Sequence, residues 1–213
     1  YKGFEVMGIM HGYRGLIDDE FNQMTLSSVG QIINRGGTIL RTSRSDEFLT
    51  SEGRKKAYNN LIRRDVGALV VIGGDGTFRG AVDFISDFDF PIIGIPATID
   101  NDIAGTDYSL GYDTAVNVAM NAIDNVRDTA FSHERLFLVE VMGRHAGYIA
   151  MEAGIASGAG EILIPETITV INDVIANLES GRRRGKLSNI VVVAEGDDAG
   201  GGFDIAKLIE GKT

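Results

Sequence analysis

The sequence predicts an α/β protein built on parallel sheets with helices on both sides. Three observations predict it. Strand-like and helix-like segments alternate along the chain. Runs such as Leu69-Val70-Val71-Ile72 and Ile190-Val191-Val192-Val193 are apolar on both faces, as in strands buried between two helix layers. The 28 glycines fall mostly where strands meet helices, where tight turns and close backbone approach are needed.

Taken in order, Glu5 to Met10 reads as a strand. Met24 to Arg35 has helical spacing, with Leu26, Val29, Ile32 and Ile33 on one face and Gly36-Gly37 as the stop. Thr38 to Thr42 reads as a strand. Thr50 to Arg64 reads as a helix opened by Thr50-Ser51-Glu52, a capping sequence. Ala68 to Ile72 is a strand, Thr77 to Ser86 a helix and Pro91 to Ile95 a strand. A long helix is expected over Asp113 to Thr129. A strand at Leu136 to Val141, a helix at His145 to Ser157 and a strand at Glu161 to Ile164 follow. A helix at Asn172 to Ser180 and a strand at Asn189 to Ala194 complete the series, and Asp197 to Gly202 reads as a flexible loop. The change of domain is expected near Gly105 to Tyr112, giving domains 1–111 and 112–213.

The net charge of -10 argues against general binding to nucleic acid or an anionic membrane, since both need clustered Lys and Arg. It leaves room for an anionic substrate, because a local group of Arg can override the global sign. With no Cys, disulfides, thiolate metal sites and a cysteine nucleophile are excluded, which fits a reducing cytoplasm. No apolar run is long enough to span a membrane, and Tyr1-Lys2-Gly3-Phe4-Glu5 lacks a signal-peptide pattern and an initiator Met. The sequence is therefore expected to be a fragment.

Two loops after strands concentrate the chemistry. In Gly73-Gly74-Asp75-Gly76-Thr77, glycine backbone and the start of a helix suit phosphate oxygens. Asp75 between the glycines makes sense if magnesium stands between it and a phosphate; equally, it could cap a plain strand-to-helix turn. The loop is neither a Walker loop nor a dinucleotide fingerprint. In Thr98-Ile99-Asp100-Asn101-Asp102, two carboxylates two residues apart can converge. One could take a proton from an attacking hydroxyl while Thr98 bonds the phosphoryl group in flight; an Asx-rich turn explains the same residues. A third turn, Met142-Gly143-Arg144-His145, places Arg144 to neutralise a phosphoryl group, or simply in solvent. His145 reads as a packing or capping residue. Glu195, at a strand end, could accept sugar hydroxyls or be merely solvated.

Together these motifs resemble the 6-phosphofructokinases of the phosphofructokinase A family, ATP-dependent type. The resemblance runs along the whole chain. It includes His11-Gly12-Tyr13-Arg14-Gly15-Leu16, Asn34-Arg35-Gly36-Gly37-Thr38, Gly105-Thr106-Asp107, Ser132-His133-Glu134-Arg135 and Ile164-Pro165-Glu166. It implies two Rossmann-like three-layer domains with the active site between them, and transfer of the γ-phosphoryl of ATP, with Mg2+, to the 1-hydroxyl of fructose 6-phosphate. By motif, Asp100 would be the base, Asp75 the magnesium-linked aspartate and Asp102 a supporting group. Thr98 and Arg144 would stabilise the phosphoryl group. Gly74, Gly76 and Thr77 would line the ATP phosphates, with Arg44 reaching them. Met142, Gly143 and Glu195 would contact the sugar, and Arg135 would reach the sugar phosphate of a neighbouring subunit, implying a homo-oligomer, a homotetramer in the family. Arg127, Arg184 and Lys186 resemble effector-binding positions; Arg182-Arg183-Arg184 also reads as a solvated helix end.

Two positions bear on the donor. Pyrophosphate-using relatives typically have Asp where this chain has Gly76 and Lys where it has Ala97. Gly76 leaves room for the α-phosphate, and Ala97, where ATP users commonly have Gly, is small and uncharged. A pyrophosphate-dependent enzyme is the alternative, followed by a non-catalytic homologue, which would be expected to have lost the aspartates. NAD kinases and some lipid kinases share Gly-Gly-Asp-Gly-Thr but lack the sugar-site set. The family's N-terminal Gly-rich loop and its later Gln-Arg-Gly-Gly-type segment are not in this sequence, so the fragment alone is expected to be inactive.

Overall fold

The computed structural model describes residues 3–133, 135–185 and 189–211. By contacts the chain divides into two compact units, Tyr1–Pro96 and Ala97–Thr213.

In the first unit β1 (Val6–Ile9) and β2 (Phe21–Met24) form an antiparallel pair around the short helix α1 (Tyr13–Ile17). A second pair, β3 (Leu69–Gly73) and β4 (Ile92–Pro96), is parallel, with Leu69 opposite Ile92 and Gly73 opposite Pro96. The helix α2 (Ser51–Arg63) precedes it, and α3 (Asp75–Phe88) is its crossover. The expected cap of α2 forms: the Thr50 hydroxyl accepts the Gly53 N–H at 3.0 Å. Buried Asn60 of α2 donates to the carbonyls of Leu16 and Ile17 at 2.9 and 2.8 Å, closing the C-terminal end of α1. Leu16, Phe48, Leu61, Leu69, Val71 and Phe84 centre the core. Leu69 and Val71 point into it, whereas Val70, Ile72 and Ile93 are each more than half exposed. Helices thus cover one face of this pair among the described residues, not both as the apolar runs imply.

Two expected elements are absent from this unit. The Met24–Arg35 helix is replaced by the end of β2, a single 3-10 turn at Leu26–Val29 and irregular backbone. Leu26 and Ile33 are exposed, so the apolar stripe has no core to face. The Ser28 hydroxyl accepts the Thr25 N–H at 3.0 Å, half of a reciprocal cap that opens this single turn, which ends at Gly30. The Thr38–Thr42 strand also fails to form: the Thr38 hydroxyl accepts the Leu40 N–H at 3.2 Å and its carbonyl the Arg41 N–H, folding the segment into a turn. Leu40 then offers its carbonyl to His11 N–H rather than to a strand.

The second unit has the expected three layers. β5 (Leu136–Val141), β7 (Asn189–Ala194) and β6 (Glu161–Leu163) are parallel in the order β5-β7-β6. They are connected through α5 (Tyr148–Ala156) and α6 (Ile171–Arg183), with α4 (Tyr112–His133) before the sheet and α7 (Gly202–Glu210) after it. β7 alternates between two cores. Ile190, Val192 and Ala194 meet Val116, Ile123 and Ile149 from α4 and α5. Val191 and Val193 meet Val174, Ile205 and Ile209 from α6 and α7. Each such fully buried aliphatic side chain contributes about 1.5–3 kcal/mol.

By contacts the segment 97–111 goes with the second unit, where Ile99 packs on the α4–α5 core. The Asp197–Gly202 segment is pinned rather than flexible. Buried Asp197 accepts from the Thr169 hydroxyl at 2.8 Å and from Ala199 N–H at 3.0 Å, and Asp198 accepts from Thr169 N–H at 2.9 Å. Among the described residues no helix is long and apolar enough to cross a membrane.

Candidate active site

The first unit carries a glycine-rich turn between β3 and α3. Gly73 is forced by space: a Cβ there would lie 2.4 Å from the Thr77 hydroxyl oxygen. The Thr77 and Phe78 N–H groups donate to the Gly74 carbonyl at 3.0 and 3.1 Å, so α3 begins tightly after the glycines. Asp75 stands in the first turn, where the helix end favours an anion, and its exposed carboxylate pairs with Arg79 one turn later at 2.9 Å. A Cβ on Gly76 would meet nothing within 4 Å, so the turn is open on that side. From α1 the Tyr13 hydroxyl donates to the Thr77 carbonyl at 2.6 Å, and burial raises the phenol well above its ordinary pKa, keeping it a donor. Arg44 is exposed and lines a shallow cavity of about 360 Å3 with Arg14, Ser45 and Asp46.

The second unit carries three pieces of its own. The first is the loop carrying Thr98, Asp100 and Asp102. Buried Ser109 organises it: its hydroxyl accepts Thr98 N–H at 2.7 Å, and its own N–H donates to the Asn101 side-chain oxygen at 2.8 Å. Asn101 adopts positive φ (53°), which Asn tolerates, and its amide donates to the Asp107 carbonyl at 3.1 Å. The Asp100 N–H donates to the Thr98 hydroxyl at 3.3 Å. Asp100 is 8% exposed, while Asp102 faces solvent.

The other two pieces are the ends of β5 and β7. These strands are parallel neighbours with Val141 opposite Ala194, so their following turns lie side by side. Glu195 donates its N–H to the Val141 carbonyl at 2.9 Å. Its Oε1 accepts the N–H groups of Gly143 at 3.2 Å and Arg144 at 2.7 Å. The Met142–Gly147 turn is bent sharply: Gly143 has φ 148° and Arg144 φ 52°. A Cβ on Gly143 would lie 2.4 Å from the Ala146 carbonyl oxygen. The result brings Arg144 Nε to 3.5 Å from Asp100 Oδ2.

Burial raises the Asp100 carboxyl above the usual carboxylate range. Arg144 opposes the rise, neighbouring Asp102 and Glu195 add to it, and the Thr98 hydrogen bond lowers it. The outcome is a shielded carboxylate, more basic than an exposed one, beside a guanidinium. Such a pair can accept a proton and neutralise an anion in the same place.

Within the second unit Thr98, Asp100, Arg144, Gly143 and Glu195 come together, and Met142 is exposed at the same turn. One oxygen of Glu195 holds the turn. Arg135 is exposed at the start of β5. Arg127 pairs with Asp124 at 3.5 Å and donates to the Ser157 carbonyl. Arg184 is exposed at the end of α6, and Lys186 lies outside the described residues. Sequence reading passes over Ser109 and takes Asn101 only as part of an Asx-rich turn. It also gives no role to Glu166, which accepts the Gly147 N–H at 2.8 Å.

The family model described as "Phosphofructokinase" matches residues 1–213. The ATP-dependent 6-phosphofructokinase 1 of Thermus thermophilus is 55% identical over 207 residues, covering 97% of this chain and 64% of that protein. The ATP-dependent 6-phosphofructokinase of Bacillus subtilis is 51% identical over 213 residues, covering 100% of this chain and 66% of that protein. Among solved structures, phosphofructokinase from Saccharomyces cerevisiae superposes with a TM-score of 0.88 at 33% identity, covering 97% of this chain and 32% of that one. The chain thus spans about two thirds of the length of these bacterial relatives, and it belongs to the phosphofructokinase family.

Proposed function

We propose that this chain carries the donor and acceptor loops of an ATP-dependent 6-phosphofructokinase, which transfers the γ-phosphoryl of ATP to the 1-hydroxyl of fructose 6-phosphate. The observation that carries this reading is Asp100, a buried carboxylate held 3.5 Å from Arg144 in a loop braced by Ser109. In this reading the C1 hydroxyl oxygen of the sugar bonds to the γ-phosphorus as the β–γ bridging bond breaks. Asp100 takes the hydroxyl proton, and the leaving ADP oxygen keeps the electron pair. Arg144 and the Thr98 hydroxyl meet the charge on the phosphoryl oxygens, and Asp102 supports Asp100. Glu195, Met142 and Gly143 face the sugar. Arg135, exposed, suits a phosphate on a neighbouring subunit of a homotetramer.

Gly74, Gly76, Thr77 and Arg44 receive the ATP phosphates, and Asp75 is the residue that fits Mg2+. No cluster of three or more acidic or His side chains forms a cation cage among the described residues. A single exposed carboxylate at a phosphate-binding turn suits an ion brought in by a polyphosphate. Bound there, the ion would neutralise charge on the transferred group. The open space at Gly76 favours the larger donor, ATP, over pyrophosphate. Arg127, Arg184 and Lys186 are carried as an effector site on resemblance, and localisation as cytoplasmic.

A coupled assay tests the reading, run on this chain extended to its relatives' full length, with fructose 6-phosphate and either ATP or pyrophosphate. Turnover with ATP and Mg2+ is expected. Turnover with pyrophosphate alone overturns the donor, and none with either overturns the activity.

A further inference from the structure

The Ile164-Pro165-Glu166 segment stands at the end of β6 and has no part in the chemistry above. Its placement gives it one. Glu166 Oε1 accepts the Gly147 N–H at 2.8 Å. Gly147 is the N-cap of α5, with no side-chain cap of its own, so this carboxylate from another strand end serves the helix. The fit leaves no slack: a Cβ on Gly147 would lie 2.5 Å from Ile164 Cβ and 2.6 Å from Glu166 Oε2.

Three residues before Gly147 stands Arg144. At the other end of the same turn, Glu195 Oε1 takes the Gly143 and Arg144 N–H groups. The turn is thus gripped at both ends by carboxylates, one from the end of β7 and one from just after β6. Between the grips the backbone runs through positive φ at Gly143 and Arg144, a conformation that a non-glycine residue holds only when its surroundings impose it. The Arg144 side chain is 71% exposed, so packing covers little of it. Its aim at Asp100 therefore depends on the backbone under it.

We propose that Glu166 is a positioning residue for phosphoryl transfer: through Gly147 it fixes the far end of the turn that points Arg144 at Asp100. The proposal rests on the phosphofructokinase reading above. A guanidinium displaced by a fraction of an ångström still attracts substrate but no longer matches the transition state, so the loss falls on kcat rather than on KM.

The test uses the protein at its relatives' full length. Glu166→Ala is expected to lower kcat about tenfold, the scale of one charge-assisted hydrogen bond, with both KM values within about twofold. Glu166→Gln retains an acceptor oxygen and is expected to recover most of the rate. In an Arg144→Ala background, Glu166→Ala should cost almost nothing further, because the two act as one unit. An equal loss in both backgrounds overturns the proposal, as does an unchanged kcat in Glu166→Ala or a failure of Glu166→Gln to restore it. Amide hydrogen exchange at Gly147 and Arg144 needs no turnover: Glu166→Ala should speed both about tenfold while amides of β7 stay protected. Unchanged exchange overturns the clamp even if the enzyme is active. Faster exchange in a protein without phosphofructokinase activity leaves the clamp standing and overturns only the reading on which its catalytic meaning rests.

Discussion

Ser109→Ala probes the brace under the proposed base. The substitution deletes one oxygen and adds nothing, so its cost can be worked from the geometry. That oxygen accepts Thr98 N–H at 2.7 Å, and Ser109 is 4% exposed, leaving water little room to replace it. A buried donor left without its acceptor costs about 1–3 kcal/mol, where the same change on an exposed serine would cost almost nothing. The Asn101 bond to Ser109 N–H survives because it uses backbone, so the damage is local to Thr98. Opening of the Thr98 amide should then become about 5- to 150-fold more frequent, readable by native-state hydrogen exchange as a loss of protection there and not on β7. In the coupled assay kcat should fall with it, since Thr98 and Asp100 lie on the freed segment. Unchanged protection at Thr98 together with an unchanged kcat would refute the claim that Ser109 holds this loop.

Two further outcomes follow from the same geometry. With Asp100 as the proposed base, the acid limb of the kcat/KM pH profile should report its ionisation in the free enzyme. Arg144 stabilises the ionised carboxylate and Asp102 opposes it, so Arg144→Ala should move that limb to higher pH and Asp102→Asn to lower pH; shifts in the opposite senses would remove Asp100 as the titrating group. In the first unit, Phe84 is fully buried with the Phe48, Phe88 and Phe90 rings 5.3 to 6.1 Å away, so Phe84→Ala should cost about 3–5 kcal/mol in urea unfolding.

The second unit is legible where the sequence signal is long. Leu136–Val141 and Asn189–Ala194 form the expected strands because short, mostly apolar runs followed by glycine turns leave few alternatives. Segment 24–42 misleads because its apolar residues keep helical or strand spacing while Leu26 and Ile33 find nothing to pack on. Spacing is a promise of burial that only tertiary structure can keep. The candidate site shows the same division. Asp75 and Arg144 stand out by residue type beside glycines, and Asp100 in a run of Asx residues. The residues that hold them, Ser109, Asn101 and Glu166, look like ordinary turn and strand-end residues, and their partners lie 8 to 19 positions away. Single-sequence reading has no way to pair residues across such gaps. The second duty of Glu195, bracing the Arg144 turn, depends on β5 and β7 being neighbours, a fact of sheet order.

The central claim is that Asp100 takes the proton from the sugar hydroxyl. Asp100→Ser, in the protein at its relatives' full length, tests it most directly: kcat for ATP-dependent phosphorylation of fructose 6-phosphate, measured beside sugar affinity. A base acts mainly in the transition state, so kcat should fall by about 10²–10⁴ with sugar affinity within a few-fold of wild type. A near-normal kcat would contradict the account.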